Sequence, residues 1–212
     1  MAKKLISLIA AVICIATACI STASAVDVVY DINYWYSDSS DIGIWPVTKR
    51  TLNTCVNSYS DYSSLSKSNI MSYLSSARTS WSCVEKNYNY VSQSSDADLV
   101  IYAVTRDLAD SVGLPSSALG VTYPKRPNRM GTLLYGASEK GLYRIDSAAV
   151  FLVGEGIMST TANARKATVH EMGHVFGYYG HYDGGNVMKT HTEDIVSIYP
   201  STNEANHLGQ IN

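Results

Sequence analysis

Histidines recur at metal-binding spacing in one short segment of this chain, residues 170–181, which reads His-Glu-Met-Gly-His-Val-Phe-Gly-Tyr-Tyr-Gly-His. His170 and His174 are four residues apart, so on an α-helix their side chains lie on one face, one turn from each other. Two imidazoles on one face can bind a single zinc ion, and Glu171 is placed to act on a water bound to that metal. The segment therefore predicts a helix that carries two zinc ligands and a general base.

The residues that follow this helix complete the predicted site. Gly177 lets the chain turn, and His181 then returns within reach of the same metal. With His170, His174 and His181 as ligands, the fourth position of the ion would hold a water, as in catalytic zinc sites. Glu171 would accept a proton from this zinc-activated water as it attacks a scissile carbonyl, and would pass the proton to the leaving amine. We therefore expect a hydrolase with one catalytic zinc ion.

The N-terminus has the pattern of a secretory signal peptide. Lys3 and Lys4 precede an almost wholly apolar run at residues 5–20, and Ala23-Ser24-Ala25 supplies the small-x-small pattern of a cleavage site. The apolar run is short for a membrane span. We therefore predict that residues 1–25 are removed before Val26, that the protein is secreted to the extracellular space, and that no stable membrane insertion remains.

The remaining residues, 26–212, are enough for one domain with a sizeable core, and no repeat or linker divides them. The whole chain of 212 residues has a formal net charge of −2. This mild acidity gives no electrostatic case for nucleic acid as a partner. We expect a single catalytic domain that acts as a monomer on a protein or peptide substrate.

Two of the four cysteines, Cys14 and Cys19, lie within the predicted signal. The exported protein would keep Cys55 and Cys83, and two cysteines in an exported chain predict one disulfide. Such a bond would close a loop of about 28 residues and stabilise the fold by roughly 3–4 kcal/mol. No Cys-x-x-Cys pair occurs, so a cysteine-built zinc site is not expected.

Hydrophobic periodicity predicts an α/β (α+β) fold in which the motif helix packs against a mixed sheet. Apolar residues recur at steps of three and four between Ile70 and Val84, which favours an amphipathic helix of about twenty residues from near Leu65. The nearly continuous apolar run within residues 97–104 is typical of a strand buried on both faces. Further strands are expected at residues 28–36, 88–91, 118–123 and 142–153, and further helices from Ser159 or Thr160 to Gly177 and at residues 193–199.

The motif resembles the signature of the metzincin clan of zinc endopeptidases, H-E-x-x-H-x-x-G-x-x-H followed by a Met-turn, and the chain is most similar to the matrixin-type catalytic domains. Met188 stands where the Met-turn methionine should be, and four other segments resemble matrixin segments: 77–81, 97–101, 119–120 and 194–199. The resemblance implies a metzincin-like zincin fold, with a mixed twisted sheet, long helices and a small C-terminal subdomain below the active-site cleft. It also implies endopeptidase activity, with residues 118–123 as an edge strand that pairs with an extended substrate.

The chain departs from the family pattern at the third ligand. The clan's ligand lies three residues after the glycine, a position that Gly180 holds here, and the histidine follows at His181. Gly180 has no side chain to block a local bulge, so His181 can still reach the metal, with Asp183 as the alternative because carboxylates also bind zinc. No histidine precedes His170, so the second, structural zinc of animal matrixins should be absent. No loop has calcium-ligand spacing, although calcium stays open as a further ion.

Two other functions are compatible with these residues. A zinc-containing binding protein with no hydrolytic activity would use the metal structurally, but such a site has no need for Glu171. A gluzincin-like peptidase would take Glu193 as its third ligand, but that pattern needs neither Gly177 nor Met188. Tyr178 and Tyr179 are expected to pack in the core, with a place at the border of the cleft as the alternative, and His191 and His207 are expected at the surface.

Overall fold

The computed structural model describes residues 28–212, and the predicted signal peptide with its cleavage site before Val26 lies outside this range. Within it, nine strands and four α-helices alternate irregularly along the chain. The strands are β1 (Val28–Asp31), β2 (Asp41–Ile44), β3 (Thr51–Ser58), β4 (Asn87–Tyr90), β5 (Leu99–Thr105), β6 (Gly120–Lys125), β7 (Arg129–Tyr135), β8 (Ser138–Arg144) and β9 (Ser147–Gly154). The α-helices are α1 (Lys67–Ser80), α2 (Arg106–Ser111), α3 (Thr161–Val175) and α4 (Thr202–Gly209). The predicted α+β class is confirmed.

The larger sheet has five strands in the order β4-β3-β5-β9-β6, and β6 at its edge is the one antiparallel member. Its central strand β5 is buried on both faces, as its apolar run predicted. Leu99, Ile101 and Ala103 belong to the main core, while Val100 and Tyr102 face a smaller core on the other side. The sheet therefore separates two apolar layers.

The smaller sheet has four strands in the order β1-β7-β8-β2. The antiparallel hairpin β7–β8 forms its centre, and the two N-terminal strands lie parallel to the hairpin strands on either side. The backbone amide of Gly43 in β2 donates to the Gly177 carbonyl over 3.1 Å. This sheet thus contacts the segment that leaves the motif helix.

Two helices pack together on one face of the larger sheet and position the motif. Helix α3 begins at the predicted N-cap Thr160, whose side chain accepts a hydrogen bond from the Asn163 amide. The α1 residues Leu74 and Ala77 are fully buried, and the Trp81 indole after α1 donates to the Val169 carbonyl over 2.9 Å. The motif helix is therefore fixed from behind by apolar packing and by a buried hydrogen bond.

Helix α3 ends close to the predicted position. Gly177 has φ +107°, a left-handed conformation that L side chains rarely adopt, and the carbonyl of Gly43 occupies the place that a Cβ would take. A glycine is therefore required here for both backbone conformation and space.

Three predicted elements differ from the structure. The expected strand at residues 142–153 is two strands, β8 and β9, separated at Ile145 and Asp146. The first strand ends at Asp31 rather than near residue 36. The last helix is not at residues 193–199, which contain only a short 3-10 turn, because a Ser201–Glu204 capping box starts α4 after Pro200.

The predicted disulfide between Cys55 and Cys83 is wrong, since both cysteines are free. Cys55 is on β3 with its side chain in the smaller core, whereas Cys83 follows α1 and packs against the main core. The larger sheet lies between the two core layers, so the thiols face different sides of it. Burial raises the pKa of the Cys83 thiol to about 11, which keeps it protonated at neutral pH.

None of the helices in residues 28–212 combines the length and the apolar character that crossing a bilayer requires.

Candidate metal centre

The structure brings together the three histidines that the sequence selected. One ring nitrogen each from His170, His174 and His181 lies within 4.8 Å of the other two. The ring centroids are 4.8 to 5.3 Å apart. The predicted ligand cluster is therefore confirmed as a group that can hold a metal ion.

Backbone carbonyls fix the orientation of the two helix histidines. Nδ1 of His170 donates to the Val187 carbonyl over 2.8 Å, and Nδ1 of His174 donates to the Tyr178 carbonyl over 2.6 Å. A carbonyl can only accept, so in the neutral rings the proton is on Nδ1 and Nε2 keeps its lone pair. The two Nε2 atoms are 3.2 Å apart, and because neither carries a proton they do not form a hydrogen bond with each other. Two nitrogens on one tetrahedral zinc ion would be roughly 3.3 Å apart.

Burial keeps these imidazoles neutral, which is the form that binds metals. Desolvation lowers the pKa of His170 to about 4 and the pKa of His174 well below its usual value. The pKa of the half-buried His181 is also lowered by desolvation. The lowered pKa values therefore favour the neutral, metal-binding form of all three rings.

A second left-handed glycine brings His181 to the cluster. Gly180 has φ +78°, and the Asp38 carboxylate occupies the place that a Cβ would take. Together with the turn at Gly177, this conformation accommodates the extra residue that precedes His181. His181 thus reaches the cluster despite the extra residue, and a side chain at position 180 would clash with Asp38.

Glu171 is buried beside the histidines and is held by the edge strand β6. Its Oε2 accepts a hydrogen bond from the Thr122 hydroxyl over 2.6 Å. Desolvation raises the pKa of this carboxyl to about 7, although the Thr122 hydrogen bond opposes the shift. The carboxylate also fills the space that a Cβ would take at Gly120. Glu171 can therefore exchange a proton near neutral pH.

Met188 lies beneath the histidines as a packing residue and not as a ligand. It is fully buried, and its Sδ occupies the place that a Cβ would take at Gly173 of the motif helix. The preceding residue, Val187, supplies the carbonyl that orients His170. The Met188 turn therefore supports the helix and one ligand at once.

A buried carboxylate from α4 holds this turn, and the sequence reasoning missed it. Glu204 accepts from the backbone amides of Asn186, Val187 and Met188 over 3.0, 2.9 and 2.6 Å. It also accepts from the amide and the hydroxyl of Ser201. The Ser-x-x-Glu pattern signals the start of a helix, but nothing local in the sequence indicates the contact with a turn sixteen residues earlier.

An open cleft of about 1040 Å³ runs past the cluster. Residues of β6, including Gly120 and Thr122, line one wall, and the segments around His181 and Thr192 line the other. In the described part of the chain β6 pairs only with β9, so its second edge is free. The cluster and Glu171 are therefore accessible to an extended molecule lying along β6.

The alternative ligands lie outside the histidine cluster. Asp183 is exposed, and its carboxylate accepts from the amide and the hydroxyl of Thr190 over 3.2 and 2.9 Å. Glu193 is exposed at the rim of the cleft. Neither belongs to the group whose ligand atoms converge.

One of the four surrounding residues, His207, differs from its predicted role. Tyr178 is buried packing and His191 is exposed, as expected, and Tyr179 is largely buried and also lines the cleft. His207 is fully buried rather than exposed. Its Nδ1 accepts from the Tyr36 amide over 3.1 Å, and its ring packs at a tilt against Trp35 and Tyr178, so an aromatic pocket replaces solvent.

The chain matches no protein-family model and no curated protein. Its site, however, has a donor set with definite chemistry. Three convergent imidazole nitrogens can hold one divalent ion and leave a further coordination position open. A buried carboxyl, that of Glu171, lines the same cleft, and desolvation raises its pKa to about 7.

Proposed function

We propose that this protein is a secreted zinc-dependent endopeptidase of the metzincin type. The observation that carries the proposal is the convergence of His170, His174 and His181 beside Glu171 in one open cleft. The resemblance of the motif to the metzincin signature, and the methionine turn under the site, support the family assignment. Export is part of the proposal because of the signal-like pattern at residues 1–25.

Zinc fits the donor set better than a hard cation. Three neutral imidazoles are ligands that zinc favours, whereas calcium and magnesium take oxygen ligands. The 3.2 Å separation of the His170 and His174 Nε2 atoms matches two ligands of one tetrahedral ion. Each of these rings also has the carbonyl partner on Nδ1 that metal-binding histidines usually have.

Glu171 is the residue that moves the proton in this proposal. When bound, zinc would supply a Lewis acid that acidifies a water and polarises a carbonyl. Oε2 of Glu171 is engaged by Thr122, which leaves Oε1 to accept the proton of the attacking water. The same carboxyl, with its pKa raised to about 7, then donates that proton to the leaving amine.

The free edge of β6 is the proposed binding site for the peptide backbone. The Val153 amide donates to the Leu119 carbonyl, so in an antiparallel ladder the backbone groups of Gly120 and Thr122 point away from β9. Pro124 is the next outward position and has no amide, which suits an edge strand. An extended substrate would therefore pair with Gly120 and Thr122, next to Glu171.

Cleavage of an unfolded protein, read by mass spectrometry, tests the proposal. The zinc-loaded protein is expected to cut internal peptide bonds. The Glu171→Gln variant should bind zinc normally and lose about 10²–10⁴-fold in rate, because general acid–base catalysis contributes about that much. The proposed mechanism is wrong if the variant keeps wild-type activity. Zinc binding with no cleavage by the wild type would favour the binding protein instead.

A further inference from the structure

The third histidine is held differently from the other two. His170 and His174 each have a ring nitrogen bonded to a backbone carbonyl. Among residues 28–212, no hydrogen bond reaches the ring of His181. Its position must therefore come from its backbone.

That backbone is fixed by a segment far away in sequence, Ser37–Ser39, between β1 and β2. The His181 amide donates to Asp38 Oδ1 over 2.6 Å, and the Asp38 amide donates to the His181 carbonyl over 3.0 Å. The Ser37 hydroxyl also donates to the carbonyl of Tyr179. Asp38 thus engages both backbone polar groups of His181, its amide and its carbonyl.

The same carboxylate selects the conformation of the preceding residue. Asp38 Oδ1 occupies the space that a Cβ would need at Gly180, whose φ is +78°. Glycine adopts this left-handed conformation about as readily as its mirror image, so an outside contact is needed to select it. The hydrogen bond that the His181 amide donates to Asp38 Oδ1 is such a contact.

We propose that Asp38 is a positioning residue for the third metal ligand, compensating for the extra residue before His181. The proposal rests on the metal site of the proposed function, and it goes beyond it in assigning a role to a residue outside the motif. Asp38 acts through the His181 backbone and does not touch the ion or the substrate. The acceptor oxygen rather than the negative charge does the positioning, so an amide at this position should substitute for the carboxylate.

The test measures zinc affinity by competition with a chromophoric chelator, together with the visible spectrum of the cobalt-substituted protein. Asp38→Ala is expected to weaken zinc binding about 10–100-fold, the usual loss for partners that orient a ligand. It should also change the cobalt spectrum. Asp38→Asn keeps an acceptor oxygen and should restore both readouts, while Ser40→Ala, an exposed neighbour with no side-chain hydrogen bond, should match the wild type.

A double-mutant cycle separates positioning from a general effect on the fold. In a His181→Ala background, Asp38→Ala should cause no further loss of zinc affinity. An undiminished loss in that background would overturn the proposal, as would wild-type affinity and spectrum in Asp38→Ala alone. Asp38 is exposed, so the variants should fold, and melting of the metal-free proteins checks this. If Asp38→Ala does not fold, Asp38→Glu decides, since displacing the carboxylate by one methylene should weaken binding and wild-type affinity would contradict the role.

None of these readouts depends on hydrolysis. A protein that binds zinc with this dependence on Asp38 but cleaves no peptide would overturn the proposed peptidase and leave the role of Asp38 intact. A protein that cleaves peptides but binds zinc without dependence on Asp38 would overturn the role of Asp38 and leave the proposed peptidase intact. A protein that binds no zinc would overturn both.

Discussion

Burial alone shifts the pKa values of individual residues in this site. Desolvation depresses the pKa of His170 and His174 and raises the pKa of Glu171, so at neutral pH the ligands are uncharged and the carboxyl titrates. The backbone carbonyls of Val187 and Tyr178 then choose which ring nitrogen keeps the lone pair. The core around the motif therefore sets the protonation state of the histidines and which ring nitrogen is free to bind a metal.

At the same scale, the burial of His207 predicts that the stability of the fold depends on pH. Burial lowers its pKa from an ordinary value near 6.5 to about 3, so the folded state favours the neutral ring. Its contribution is fully present above pH 6.5 and is lost as the pH falls from there towards 3, by up to about 1.4 kcal/mol per pH unit. Urea unfolding of the zinc-loaded protein measures this effect. Between pH 7 and pH 5, the free energy of unfolding should fall less for His207→Gln than for the wild type. Equal drops in the two proteins would show that His207 does not titrate on unfolding.

Residue roles were predictable only where they are encoded locally. His170, Glu171 and His174 follow from spacing on one helix, and His181 follows from the nearby glycines. Thr122, Asp38 and Glu204 were not predicted, because each reaches the site from a distant segment. Long-range contacts of this kind leave no periodic signal in the sequence.

At the scale of elements, helix α4 acts as a brace for the turn under the site. The buried carboxylate of Glu204 accepts the three successive amides of Asn186, Val187 and Met188. The Val187 carbonyl in turn orients His170. One short helix near the C-terminus therefore stabilises both a loop and the direction of a ligand.

Replacement of this carboxylate should be costly. Glu204→Ala would leave three amides without their partner, two of them on fully buried residues, at about 1–3 kcal/mol for each buried group. We expect the metal-free protein to lose about 3 kcal/mol or more of unfolding free energy, measured by chemical denaturation. Glu139→Ala, on the exposed β7–β8 hairpin, is the matched control and should change little. A loss for Glu204→Ala no larger than that of the control would argue against the brace.

Elements were predictable in proportion to their regularity. The α1 and α3 helices and strand β5 have strong apolar periodicity or a long apolar run, and the sequence located them within a few residues. The sequence did not predict strands β2, β3 and β7 and predicted only the end of β8, because β2 is short and the other three mix exposed and buried positions. The last helix lies after Pro200 rather than before it, because the Ser201–Glu204 capping box starts it there.

The whole molecule brings its two sheets together around the third ligand. The larger sheet supplies β6 and the wall of the cleft, while the smaller sheet and the Ser37–Ser39 segment hold the chain from Gly177 to His181. Cys55 and Cys83 lie in different core layers, so within residues 28–212 packing and hydrogen bonds, rather than a disulfide, hold this arrangement together. A complete site thus requires the entire described domain to be folded.

The most direct test of the proposed zinc endopeptidase is a zinc titration of peptide cleavage by the metal-free protein. Chelation should abolish cleavage, and added zinc should restore it linearly up to one equivalent per chain, because His170, His174 and His181 form one site. The Glu171→Gln variant should bind the same single equivalent of zinc and show no cleavage at any point of the titration. Full cleavage without zinc, or one bound equivalent of zinc without any cleavage by the wild type, would contradict the account.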